Sequence, residues 1–224
     1  CDSYTDCSSC AGASTCRWCP LYGDESCHAY GSLYNDCSKS EEVTDADTCS
    51  ALTTPTQLHV AFAGFEAGTG MAIMWQTRGS TSSSVTVRYG VDADDLGSIA
   101  YGTSASYFAS FSHTAILDGL EASTRYFYQV GNEDDGWSTM YNFKTAKAKG
   151  TNVNYPFDVA IFGDMGRKEY NANDTINALA ANSASFDFIW HLGDVGYADD
   201  SFLHIGDVLQ FTYESAFDDY MVEI

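Results

Sequence analysis

Two short apolar runs near the carboxyl end set the pattern from which this chain can be read. Residues 157–162 and 186–192 are largely apolar, and each run closes on Gly-Asp, in FDVAIFGDMG (157–166) and FDFIWHLGDVGYADD (186–200). Runs of this length ended by glycine predict buried strands of a parallel sheet. Between them, NANDTINALAANSA (171–184) has helical composition, with Asn and Asp able to cap its start. Strand, helix and strand at this spacing make a βαβ unit with a right-handed crossover. Upstream, the pattern changes. TGMAIMWQT (69–77), SSVTVRYG (83–90), SHTAILDGL (112–120) and TRYFYQVG (124–131) are β-rich runs separated by Gly, Ser and Asp turns, which predicts an all-β sandwich over residues 55–146. Trp75 is its candidate core anchor, and Tyr126 a candidate for a tyrosine corner. KTAKAKGTNVN (144–154) reads as a small, polar linker. Residues 1–50 follow neither pattern and hold few large aliphatic side chains, so they cannot build much core without cross-links.

Those cross-links are present in the composition. All eight cysteines, Cys1, Cys7, Cys10, Cys16, Cys19, Cys27, Cys37 and Cys49, fall in the first 49 residues. An even count at this density implies disulfides, and with them an oxidising, secreted or extracellular setting. Zinc is the rival, because Cys7–Cys10 and Cys16–Cys19 are CxxC pairs. Their separation of five residues is well short of the ~15–20 usual between zinc-ribbon pairs, so disulfides are expected; eight cysteines allow about 105 connectivities, and none is selected by spacing.

Charge narrows the partners. The chain carries a net −21, and residues 151–224 alone have 13 acidic against 2 basic side chains. Nucleic acid is excluded as a partner, since it needs a basic footprint. An anionic phosphate ester would be repelled as well, unless bound cations reversed the local field. No run approaches the ~20 apolar residues of a membrane helix. The chain begins at Cys1 with neither an initiator Met nor a charged-then-apolar leader, as a mature form or a fragment would. Asn173-Asp174-Thr175 is the sole N-x-[ST] sequon, making Asn173 a candidate glycan site.

The candidate chemistry lies where the two apolar runs end. Loops at the carboxyl ends of parallel strands form the ligand crevice of an open α/β sheet. If the strands are neighbours, ~5 Å apart, Asp164 and Asp194 share one small space, and two such carboxylates repel unless a cation lies between them. Either Gly-Asp alone would pass for a turn or a helix cap. Tyr197, three residues after Asp194, adds a third oxygen donor. LHIGD (203–207) repeats the letters of the second motif without an apolar run before it, so Asp207 is expected at the surface or at a helix start. His191, inside the second strand, is expected to pack or to support a ligand rather than to ligate.

GDMG, a βαβ crossover and then GDVGY together resemble the start of the purple acid phosphatases, a branch of the metallophosphoesterases. The wider superfamily usually has Asp-x-His in the first motif; here Gly166 occupies the His position and cannot ligate. The resemblance implies that Asp164 and Tyr197 bind a ferric ion, and that Asp194 bridges it to a divalent zinc, iron or manganese. Hard oxygen donors suit a hard trivalent ion. HTAILDGLEASTRYFYQVG followed by YNFKT resembles the fibronectin type III-like domain that precedes the catalytic domain in plant-type members. The cysteine pattern, with Trp18 before Cys19, is similar to the plexin–semaphorin–integrin (PSI) module. The expected architecture is therefore multidomain: a disulfide-rich PSI-like module (1–50), the β-sandwich (55–146), and the truncated start of an α/β metallophosphoesterase domain (155–224).

The implied activity is hydrolysis of small phosphate monoesters by a hydroxide generated on the metal pair, with no general acid or base inside these residues. The family also requires an Asn in GNH, a further His and a GHxH segment, and none of these occurs. The chain is thus expected to be an amino-terminal part of a phosphatase and inactive alone. Two other classes fit parts of the pattern. A cysteine-rich module with a β-sandwich also makes extracellular adhesion proteins, and a phosphodiesterase or nucleotide pyrophosphatase could use the same scaffold.

Overall fold

The computed structural model describes residues 1–20, 26–31, 42–64, 66, 68–81, 83–107, 110–150, 157–167, 171–198 and 213–224. Cys37 and the LHIGD run with Asp207 lie outside the described residues. The chain divides into two compact units, Cys1–Lys149 and Gly150–Ile224.

The first unit opens with the cysteine-rich segment. Helix α1 (Cys7–Ala11) starts where the Asp6 carboxylate accepts the Ser9 N–H at 2.9 Å. Helix α2 (Ala46–Leu52) is capped in the same way, Asp45 accepting the Thr48 N–H at 2.8 Å. Between the helices lies the antiparallel hairpin of β1 (Cys16–Cys19) and β2 (Ser26–Ala29). Disulfides join these pieces: Cys1–Cys16 fixes the first residue to β1, Cys7–Cys49 ties α1 to α2, and Cys10–Cys27 ties α1 to β2. Cys19 is disulfide-bonded too. The sulfurs of Cys1, Cys16 and Cys27 lie within 4.8 Å of one another, but all three are in disulfides and offer no thiolate to zinc. Cystines, with Trp18, Val43 and Leu52, form most of this small core. Covalent bonds thus stand in for the aliphatic residues that the segment lacks.

The sandwich follows. Its strands are β3 (Thr56–Ala63), β4 (Gly70–Thr77), β5 (Thr86–Gly90), β6 (Ser98–Tyr107), β7 (Ser110–Leu117), β8 (Arg125–Asn132), β9 (Gly136–Trp137) and β10 (Tyr141–Lys144). The four runs expected from the sequence appear as β4, β5, β7 and β8. Strand β6 was not anticipated, because SIAYGTSASY is rich in Ser, Ala and Gly and poor in strong strand formers. Its role is topological. Residues 98–101 pair with β5, whereas residues 102–107 pair with β7. One strand therefore passes from one layer to the other, joining β3, β4 and β7 to β5, β8 and β10. Gly102 lies at the change of partner, where an added Cβ would come within 2.9 Å of the Thr114 carbonyl oxygen.

The layers enclose Met71, Ile73, Trp75, Val85, Val87, Leu117, Val130 and Phe143. Alternation accounts for this, since residues 71, 73 and 75 of β4 face inward together. Tyr126 forms the expected corner: its buried hydroxyl accepts the Glu121 N–H, five residues upstream, at 3.0 Å.

Polar side chains are enclosed too, among them an imidazole. His113 is 1% exposed and rests against Trp75, with ring centroids 5.3 Å apart. The Thr77 hydroxyl donates to the Gly79 carbonyl, so it accepts from His113 Nε2–H at 2.8 Å. Ser104 in turn donates to Nδ1 at 2.8 Å. These partners fix the neutral tautomer with the proton on Nε2. Burial pushes the imidazole from 6.5 down to about 4. Between those values the unfolded chain binds a proton that the folded chain refuses, so stability rises with pH. The sandwich should therefore lose on the order of 3 kcal/mol as pH falls from 6.5 to 4. Denaturant titrations at several pH values will measure this, and His113→Gln should flatten the slope in that window.

Candidate functional site

The second unit forms around β11 (Val159–Gly163) and β12 (Phe188–Leu192), which pair in parallel from Val159 opposite Phe188 to Gly163 opposite Leu192. Helix α3 (Asn173–Ala181) crosses between them, followed by a 3-10 turn at Ser183–Ser185. Two details differ from expectation. Neither Asn173 nor Asp174 caps α3: the N-cap is Ala172, which has no side chain to accept a bond, and Asp174 stands in the first turn, where its charge complements the helix dipole. The strands are also not buried. Ile161 is 58% and Trp190 57% exposed, because only two strands make up this sheet among the described residues. Asn173 is exposed at the start of α3.

Parallel register carries both Gly-Asp pairs to the same edge. Asp164 follows the last paired residue of β11, and Gly193 and Asp194 follow that of β12. A backbone bond then stitches the loops together, Gly196 N–H donating to the Met165 carbonyl at 3.1 Å. Asp164 and Asp194 are exposed and Tyr197 half-buried. No third His, Cys, Asp or Glu joins them as a compact ligand cluster among the described residues; Tyr197 lies on the second loop, three residues after Asp194.

The backbone is unusual at all three residues, as it is at Gln57, Ser123 and Asn171. Asp164 (φ 51°), Asp194 (φ 45°) and Tyr197 (φ 47°) all adopt the left-handed conformation, alongside Gly193 (φ 70°) and Gly196 (φ 67°). Asp tolerates that region through local hydrogen bonds, but a bulky aromatic rarely does. Such strain persists only where surrounding structure holds it, and it concentrates at functional sites.

Helix α4 (Tyr213–Glu223) supplies much of that hold. Tyr220 is 2% exposed and packs with Met165, Ala172 and Ile176. Burial pushes its hydroxyl up to about 12, so it keeps its proton and can donate to His191 Nδ1, 2.6 Å away. Next to it on the helix, Asp219 accepts from the buried guanidinium of Arg167 at 3.1 Å. His191 also stacks on Phe162, with centroids 4.7 Å apart. Burial lowers the pKa of this ring, while the nearby Asp164 charge opposes the shift. Nε2 of the same ring is buried and has no hydrogen-bond partner among the described residues. His191 is thus packed, as expected. Arg167, Asp219 and Tyr220 went unnoticed in the sequence, because nothing in their spacing from the Gly-Asp motifs announces a contact.

Comparison with known proteins adds the ancestry. The family model described as "Purple acid Phosphatase, N-terminal domain" matches residues 55–145. Over those residues the chain is similar to that domain. An acid phosphatase of Aspergillus ficuum is 34% identical over 58% of the chain and 23% of its own length. An Arabidopsis thaliana protein named Fe(3+)-Zn(2+) purple acid phosphatase 12 is 29% identical over 65% of the chain and 30% of its own length. The purple acid phosphatase PPD1 from yellow lupin (Lupinus luteus) seeds superposes with a TM-score of 0.55 at 19% identity, covering 76% of this chain and 34% of that one; this likeness speaks to fold. The chain spans about a quarter to a third of the length of these purple and acid phosphatases.

The strained loop offers a direct measurement. A Cβ on Gly196 would lie 2.9 Å from Tyr220 Cβ and 3.0 Å from Cγ, whereas one on Gly193 would meet nothing within 4 Å. Gly193→Ala should cost about 1 kcal/mol for its backbone conformation alone. Gly196→Ala should cost about 2–3 kcal/mol, because ring and loop must also part. Denaturant titration of both variants measures the difference.

Proposed function

We propose that the polypeptide carrying this chain is a secreted acid phosphatase that hydrolyses small phosphate monoesters at a ferric–divalent metal pair. In this reading, residues 155–224 begin its metallophosphoesterase domain, and the cysteine-rich segment is a PSI-like module. The observation carrying it is that Asp164, Asp194 and Tyr197, all with left-handed backbone, stand at one edge of a single parallel strand pair. Relatives named as purple acid phosphatases, one of them Fe(3+)-Zn(2+), support it. Disulfides, and the absence of any helix long and apolar enough to span a membrane among the described residues, fit the secreted setting.

The residues fit such a metal pair. All three donors are oxygens, the type that a hard trivalent ion prefers. Two carboxylates held on stitched loops in a strongly acidic chain also favour cations. Asp164 and Tyr197 would hold the ferric ion, with Asp194 shared with a zinc, iron or manganese ion. When bound, the pair supplies Lewis acidity that activates water and offsets phosphoryl charge during in-line displacement. The chain's own part is positional. The loop backbone sets the three oxygens, and His191 with Tyr220 and Arg167 with Asp219 support that backbone from below. No side chain here is assigned as general acid or base.

Two substitutions in the full-length protein test the reading. Tyr197→Phe should abolish the visible phenolate-to-iron absorption band while the circular dichroism of the fold persists; an unchanged band would remove Tyr197 from the centre. Asp194→Asn should lower turnover of an aryl phosphate at acidic pH by at least 100-fold, about 3 kcal/mol, and reduce bound metal measured by elemental analysis.

A further inference from the structure

We infer that Tyr220 of α4 is a positioning residue for the centre proposed above, and that with Asp219 it forms a clamp across both Asp-bearing loops. The inference rests on that reading for its chemistry but not for its geometry. Three contacts of one side chain carry it. The Tyr220 hydroxyl holds His191 from within β12, three residues before Asp194. Its ring closes over Gly196, between Asp194 and Tyr197, so closely that an added Cβ would come within 2.9 Å of Tyr220 Cβ. It also shares an apolar cluster with Met165, the residue after Asp164 and the acceptor of the Gly196 N–H.

Asp219 completes the arrangement by gripping Arg167 at the end of the first loop. Consecutive helical residues point about 100° apart, so one turn of α4 can reach both loops at once. Both loops hold left-handed residues that would relax if released. Groups that orient metal-holding side chains in this way typically change metal affinity 10- to 100-fold when removed.

A structural role alone is separable from positioning. Tyr220→Phe keeps the ring over Gly196 and removes only the hydroxyl. Ile176→Val trims the same apolar cluster and leaves both polar contacts of α4 in place. In the full-length, metal-loaded protein, Tyr220→Phe should release iron to a chelator about 10-fold faster, and Ile176→Val should release it at the wild-type rate. In amide hydrogen exchange of the metal-free protein, Tyr220→Phe should lower protection of Gly196 about 10-fold, while Ile176→Val leaves it unchanged. Asp219→Asn should loosen residues 165–167 selectively. Unchanged Gly196 exchange in Tyr220→Phe, or equal loosening in Ile176→Val, overturns the clamp. A wild-type protein that binds no stoichiometric metal instead overturns the functional reading, while the exchange comparison still decides the clamp.

Discussion

The candidate site depends on one constraint, the parallel register of β11 and β12. Pairing Gly163 with Leu192 brings two chain segments thirty residues apart to the same edge in the same sense. An antiparallel pair would place the two Gly-Asp sequences at opposite ends. Parallel pairing needs a crossover, and the short helix α3 supplies it. Everything else in the second unit refines this placement. The Gly196–Met165 bond closes the edge, and the left-handed residues turn the loops back on themselves.

Holding such loops requires support from elsewhere in the chain. Neither aspartate is buried, and apolar side chains on the strands remain largely exposed, so the sheet itself supplies little packing. The support comes from the apolar cluster under the loops, in which Met165, Ile176 and Tyr220 meet. Two polar contacts, Tyr220 with His191 and Arg167 with Asp219, give that cluster direction as well as cohesion. Apolar contact is non-directional, whereas a hydrogen bond of 2.6 Å fixes the ring it touches.

The first unit meets a different problem with the same economy of means. Its cysteine-rich segment replaces a core with cystines, and its sandwich uses a single strand, β6, to join two layers. His113 is a buried imidazole packed against the apolar interior. Both ring nitrogens are satisfied, so the group is tolerated at neutral pH and becomes a liability in acid.

Sequence alone determined what depends on local pattern. Short apolar runs closed by Gly-Asp specified the strands and the edge on which Asp164 and Asp194 stand. The β-rich runs between turn residues specified four strands of the sandwich, with Trp75 as a candidate core anchor and Tyr126 as a candidate corner. Cysteine density specified disulfides but not their pairing, because connectivity is set by which segments fold together. Tertiary structure decided the rest for the same reason. Strand β6 lacks residues of strong propensity and is held by the partners on either side. The left-handed conformation of Tyr197 runs against local preference and exists only under external restraint. Tyr220 and Asp219 read as ordinary helical residues until α4 packs beneath the loops. Their contacts with His191 and Arg167 span 29 and 52 residues, and separations of that length leave no periodic trace in sequence.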